Sequence, residues 1–137
     1  MRLLNWGSLF ETKIADIDEQ HKRLFDLINI VHEAVQNKKG LEVMNKAITE
    51  LISYTNYHFT NEENYMKKFK YPEYEKHKLE HEALFKKVLD FQERYTDTPN
   101  DLMLSQELSI FLKKWLTDHI IGVDKKYAPF LISKGVK

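Results

Sequence analysis

Apolar residues recur at intervals of three and four along most of this chain, and the pattern breaks in only a few places. Ile17, Leu24, Phe25, Ile28, Val31 and Val35 form one stripe, which predicts a helix over about 16–38. Asp16 is placed to cap it, with Glu19 three residues on as the reciprocal partner, and Lys38-Lys39-Gly40 is a basic stretch closed by glycine. Val43, Met44, Ile48, Leu51, Ile52, Thr55 and Phe59 predict a second helix over about 41–69, broken at Tyr71-Pro72. Pro72 suits the first turn of a third, about 72–95, whose stripe includes Leu84, Phe85, Val88, Leu89 and Phe91. Thr96-Asp97-Thr98-Pro99-Asn100 reads as a loop. Leu104, Leu108, Phe111, Leu112, Trp115 and Leu116 predict a fourth helix over about 101–121, losing regularity near Gly122. Pro129 is expected to prevent a continuation and leave a short C-terminal tail.

Four long amphipathic helices on short loops predict an all-α fold, an up-down-up-down antiparallel four-helix bundle with a short extended N-terminal arm. At 137 residues the whole chain, 1–137, is expected to form a single domain. Lys+Arg and Asp+Glu both number 21, so no net charge marks a surface for nucleic acid or an anionic membrane. The start, Met1 to Gly7, lacks the apolar core of a signal peptide, and no apolar run is long enough to span a bilayer. A cytoplasmic protein without membrane insertion, and a monomer, is the expectation. Cysteine is absent, so any metal site must use nitrogen and oxygen donors.

Five of the six histidines fall into such a donor pattern. His58 precedes Glu62 by four residues, His77 precedes His81 by four, His119 precedes Asp124 by five, and His21 stands alone. In an up-down bundle the starts of helices one and three lie beside the ends of helices two and four. That places all seven residues within about 15 Å of one end. Residues four apart share a helix face. Five apart they diverge by about 140° on a regular α-helix, so His119 and Asp124 require a wider turn or a break at Ile121 to Val123. Gly122 sits in that interval. His32, on the face of His21, lies about 16 Å further along the axis and is a structural or surface histidine. Glu63, Glu80, Glu82 and Asp118 neighbour the candidates and are expected to be solvated.

The segments Asp18-Glu19-Gln20-His21-Lys22-Arg23-Leu24-Phe25, His58-Phe59-Thr60-Asn61-Glu62-Glu63 with Met66, Tyr71-Pro72 with His77 and His81, and Trp115-Leu116-Thr117-Asp118-His119-Ile120 with Asp124 resemble hemerythrin in its bacterial single-domain form. The likeness runs from Trp6 to Tyr127, and all seven donor positions are intact. It implies two iron ions in a non-heme di-iron centre with an oxo or hydroxo bridge. His77, His81 and His119 would hold one iron and His21 and His58 the other, with Glu62 and Asp124 bridging both. Dioxygen would bind at the iron with two histidines. Trp115, Leu116 and Ile120 match pocket-lining positions, Phe59 is a further candidate wall, and Tyr127 a candidate donor to a bridging carboxylate.

The expected function is reversible dioxygen binding for storage, delivery or buffering, with no enzymatic role and no catalytic residues. An oxygen-consuming enzyme would be a natural recipient. Rival readings are oxygen or redox sensing through a separate signalling partner, a di-iron oxidase, and handling of iron, nitric oxide or peroxide. Ferritin-like oxidases use paired Glu-x-x-His motifs, and this sequence has none; its nearest variant is Asp18-x-x-His21.

Overall fold

A computed structural model describes residues 4–37, 41–97 and 102–137. Helices α1 (Ala15–Gln36), α2 (Leu41–Lys68), α3 (Tyr74–Asp97) and α4 (Leu102–His119) form the bundle, each packed against the next and α4 against α1. A π-helix, Ile120–Asp124, follows α4 and leads into a fifth helix, α5 (Lys125–Ser133). The expected stop at Lys38-Lys39-Gly40, the loop residues Thr98-Pro99-Asn100 and the fourth helix's expected start at Asp101 lie outside the described residues.

Three details of the chain reading change. The first helix begins one residue earlier than expected, at Ala15, so Asp16 is inside its first turn and Ile14 is the flanking residue. Asp18 instead organises the approach, accepting from the Thr12 backbone N–H at 2.8 Å, the Thr12 hydroxyl at 2.7 Å and the Lys13 N–H at 3.2 Å. These bonds hold Lys13 in the left-handed region, at φ 71°. Glu19 is exposed and pairs with Lys22 at 3.2 Å. The expected capping box is therefore absent, because the arm turns too tightly for Asp16 to sit ahead of the helix.

Helix α2 ends in a Schellman motif, with Tyr71 N–H donating to the Met66 carbonyl at 2.8 Å and Lys70 N–H to that of Lys67 at 3.2 Å. Lys70 takes the left-handed conformation, φ 58°. Pro72 then falls in the connecting turn, two residues before α3, and α3 runs on through Thr96 and Asp97.

The third correction is the tail, which is helical despite Pro129. Pro129 is the fifth residue of α5, so its missing N–H forfeits only the bond to the Lys125 carbonyl. That carbonyl lies at the π-to-α junction, where the hydrogen-bond ladder is already changing register. Gly135, at φ 95°, closes α5 in the same way Lys70 closes α2, with Val136 N–H donating to the Leu131 carbonyl at 3.1 Å.

The core is split in two. A large cluster, including Phe25, Ile28, Val31, Ile48, Phe59, Phe91 and Leu112, fills the bundle. A smaller one, built from Ile14, Ile17, Met66, Tyr127, Ala128 and Leu131, closes the end from which α5 projects. The polar donors lie between these two apolar bodies.

The N-terminal arm is extended apart from a 3₁₀ turn at Ser8–Phe10, and lies against α1. Trp6 and Phe10 pack on Phe25 with ring centroids at 5.3 and 4.9 Å. Asn29 ties down its start, accepting from Leu4 N–H and donating to the Leu4 carbonyl, both at 2.9 Å. Both residues are buried, so Asn29→Ala strips the Leu4 peptide groups of that partner, at a cost of about 1–3 kcal/mol. The expected outcome is a lowered urea midpoint and faster amide exchange at Leu4; unchanged exchange would show that ring packing alone holds the arm.

Candidate metal centre

Helical spacing brings the histidines and carboxylates to one level of the bundle. His21 comes from the second turn of α1, His58 and Glu62 from the last three turns of α2, His77 and His81 from the start of α3, and His119 from the end of α4. Asp124 is delivered by the π-helix. A π turn bonds i to i+5, so His119 and Asp124 share a face across the same interval. Asp124 Oδ1 lies 2.9 Å from His119 Nε2. Gly122 is not sterically required there, since a Cβ would meet nothing within 4 Å. Gly122→Ala is accordingly expected to preserve or raise the melting temperature, by the equivalent of about 0.4–1 kcal/mol. A drop would show that the wide turn depends on glycine.

All seven side chains are buried, at 3% exposure or less. They form two donor groups, Glu62, His77, His81, His119 and Asp124 in one, His21, His58, Glu62 and Asp124 in the other. Within each group the candidate donor atoms lie inside 4.8 Å of one another, and the two carboxylates belong to both. Asp124 reaches His21 Nε2 with one oxygen and His77 Nε2 with the other, each at 3.0 Å. Glu62 lies 3.3 to 3.6 Å from the Nε2 atoms of His58, His81 and His21.

These contacts are close without being good hydrogen bonds. Nε2 of His21, His77, His81 and His119, both Asp124 oxygens and Glu62 Oε1 are buried with no hydrogen-bond partner. Buried polar groups in folded proteins are nearly always satisfied. Carboxylate oxygens and imidazole nitrogens that converge without settling into hydrogen bonds are what a pair of cations would satisfy, so the residues fit a two-metal site.

Electrostatics agree. Burial alone would depress His21, but the Asp124 and Glu62 carboxylates beside it overcome that and raise the imidazole to about 9. His81 rises to about 9 in the same way, against burial, through Glu62 and Glu63. His58 is lowered, burial outweighing Glu62. Burial would raise Glu62, yet His58, His21 and His81 hold it well below its usual range. Asp124 is likewise low, against burial and the Glu62 charge, through His119 and His21. Both carboxylates are anions in a dry setting, balanced by imidazoles.

Tyr127 is fully buried and its hydroxyl donates to Glu62 Oε2. Burial and the Glu62 and Asp124 charges push that phenol well above its ordinary value, so it stays a donor. Outer partners that the sequence reading left in solvent also appear. Glu63 Oε2 stands 2.9 Å from His81 Nδ1, and Glu80 lies 3.6 Å from His119 Nδ1. Gln20 Oε1 is 2.6 Å from His58 Nδ1. Gln20 is next to His21 in sequence, but only its place on α1 facing α2 reveals the role. Glu82 and Asp118 remain outside this set. His32 joins neither donor group.

Beneath the donors lies an apolar cavity of about 20 Å³. Leu24, Thr55, Leu84 and Leu116 line it, each three residues from His21, His58, His81 and His119 respectively. Three residues are about 4.5 Å of helix, always toward the bundle interior, so the cavity occupies the next layer down. Phe59 and Trp115 also line it while stacking on imidazoles, Phe59 on His81 at 3.6 Å and Trp115 on His119 at 4.4 Å. The Thr55 hydroxyl is spent on the Leu51 carbonyl at 2.6 Å. Ile120 is fully buried in the same core but does not line this cavity.

The family model of the hemerythrin HHE cation-binding domain matches residues 12–131. The chain belongs to the hemerythrin family. It is 33% identical to a bacteriohemerythrin of Methylococcus capsulatus over 96% of this chain and 98% of that one. A bacteriohemerythrin of Clostridium acetobutylicum is 34% identical over 89% of this chain and 96% of the relative. A crystal structure of wild-type hemerythrin superposes with a TM-score of 0.84 at 31% identity, covering 94% of this chain and 98% of that one. Hemerythrins bind non-heme iron and dioxygen, and the donor cluster here is able to hold metal. Among the described residues no helix is long and apolar enough to cross a membrane.

Proposed function

We propose that this hemerythrin binds dioxygen reversibly at a non-heme di-iron centre, to store, deliver or buffer it, without catalysing a reaction. The observation that carries the reading is a pair of donor groups sharing Glu62 and Asp124, set directly above an apolar cavity. His77, His81 and His119 would hold one iron, His21 and His58 the other, and the two carboxylates both. Bound there, the iron pair would supply the electrons that dioxygen needs to bind and recover them on release.

The chain's own residues favour binding over turnover. Bound to metal, the five imidazoles would be neutral and would raise the donor count without adding negative charge, whereas carboxylate-rich sets favour higher oxidation states. Glu62 is held in place by the Tyr127 hydroxyl, which keeps its lone pairs aimed at the site. The position served by His21 and His58 has one imidazole fewer, which leaves it the place for dioxygen. Leu24, Leu84, Leu116 and Phe59 carry no polar side-chain group, and the Thr55 hydroxyl is spent on the Leu51 carbonyl, so a small apolar gas is favoured over water or ions.

Purified protein should contain an iron pair and show a visible band that disappears and returns as argon with reductant alternates with air. Zinc in place of iron, or irreversible oxidation with turnover of an added substrate, would sink the proposal.

A further inference from the structure

Beyond the donors themselves, the groups behind the imidazoles differ between the two metal positions. His81 Nδ1 is hydrogen-bonded to the Glu63 carboxylate at 2.9 Å, the Glu80 carboxylate stands 3.6 Å from His119 Nδ1 without bonding it, and His77 Nδ1 has no hydrogen-bond partner among the described residues. His58 has an amide. Gln20 Oε1 meets His58 Nδ1 at 2.6 Å and also accepts from Asn61 Nδ2 at 3.2 Å. Asn61 is held in turn by Asp16, which also accepts the Tyr65 hydroxyl at 2.8 Å. This relay turns the oxygen of Gln20, and not its nitrogen, toward His58. Among the described residues no carboxylate lies at Nδ1 of His21 or His58.

A metal on Nε2 requires the proton on Nδ1, and the acceptor of that proton sets how strongly the ring donates to the metal. A carboxylate draws the proton and makes the imidazole more electron-rich; an amide oxygen does so weakly. We propose that Glu63 and Gln20 are positioning residues that set the two metal positions apart, Glu63 strengthening the three-histidine side and Gln20 keeping the two-histidine side the weaker donor set. The difference in imidazole number is thereby reinforced, and the metal facing dioxygen stays the more electron-poor of the two. This inference rests on the di-iron reading of the site.

The test pairs Glu63→Gln with Gln20→Glu, with Glu82→Gln as a control that removes an exposed carboxylate beside His81 in sequence. Iron content and helicity are measured first, and then the reduction midpoint by spectroelectrochemical titration under argon. Glu63→Gln should raise the midpoint and Gln20→Glu lower it. Each should move by about a tenfold change in the one-electron equilibrium, or about 59 mV. Glu82→Gln should leave it in place. Cobalt(II) competition on iron-free protein gives a second readout, with about tenfold weaker binding expected for Glu63→Gln. A wild-type protein that takes up no iron pair overturns the di-iron reading and this inference with it. A wild-type protein with its iron pair, whose midpoint is unmoved by both substitutions or moved equally by Glu82→Gln, overturns this inference alone.

Discussion

Asp124→Asn is expected to reduce the iron pair to a single iron or none while leaving the helical content intact. Asp124 reaches opposite sides of the centre with its two oxygens, to His21 and to His77, each at 3.0 Å, closer than Glu62 comes to any imidazole. Asparagine keeps the volume but offers one carbonyl oxygen and an NH₂ that repels a cation, so one side loses its shared donor. The loss should also appear as stability. A ligand that binds only the folded state adds RT ln(1 + [L]/Kd), about 3 kcal/mol at a hundredfold excess over Kd. For a chain of this size that corresponds to roughly 10 °C in melting temperature. The wild type should therefore melt higher with iron than after chelation, and Asp124→Asn should show little such increment. Full iron occupancy in the variant would remove Asp124 from the centre.

The donor set was legible because it violates the helical pattern in a consistent way. His58, Glu62, His77 and His81 fall on buried faces where the stripe calls for apolar residues, and connectivity alone brings them to one end. The irregular backbone before Asp124 was legible for a related reason: a separation of five residues from His119 to Asp124 does not fit a 3.6-residue turn and calls for a wider turn or a break. Glu63 and Glu80 were not legible. They sit at positions that look solvated on their own helix, and only the approach of another element places them behind an imidazole. Pro129 misled because its cost depends on where in a helix it stands. Near the start of α5 it forfeits a single bond, and the apolar residues Tyr127, Ala128 and Leu131 gain a buried face. The second apolar cluster therefore went unread, although it is what closes the centre from the far side.

Leu116→Asn is expected to hasten air oxidation of the reduced, iron-loaded protein by about tenfold, equivalent to about 1.4 kcal/mol in barrier, without loss of iron. Leu116 is 4% exposed and lines the cavity one turn below His119, yet it is no metal donor. The cavity, about 20 Å³, is just large enough for one water molecule, and its mainly apolar walls disfavour one. An amide on that wall would supply donor and acceptor together and would hold a water beside the centre. With iron bound, such a water would be a proton source beside the centre and would favour irreversible oxidation. Because a buried amide with poor partners also costs about 1–3 kcal/mol of stability, the comparison needs Leu116→Met, which keeps volume and polarity close to leucine. The methionine variant should oxidise at nearly the wild-type rate. Equal rates in all three proteins would show that Leu116 does not guard the centre, and rapid oxidation of both variants would trace the effect to packing instead of polarity.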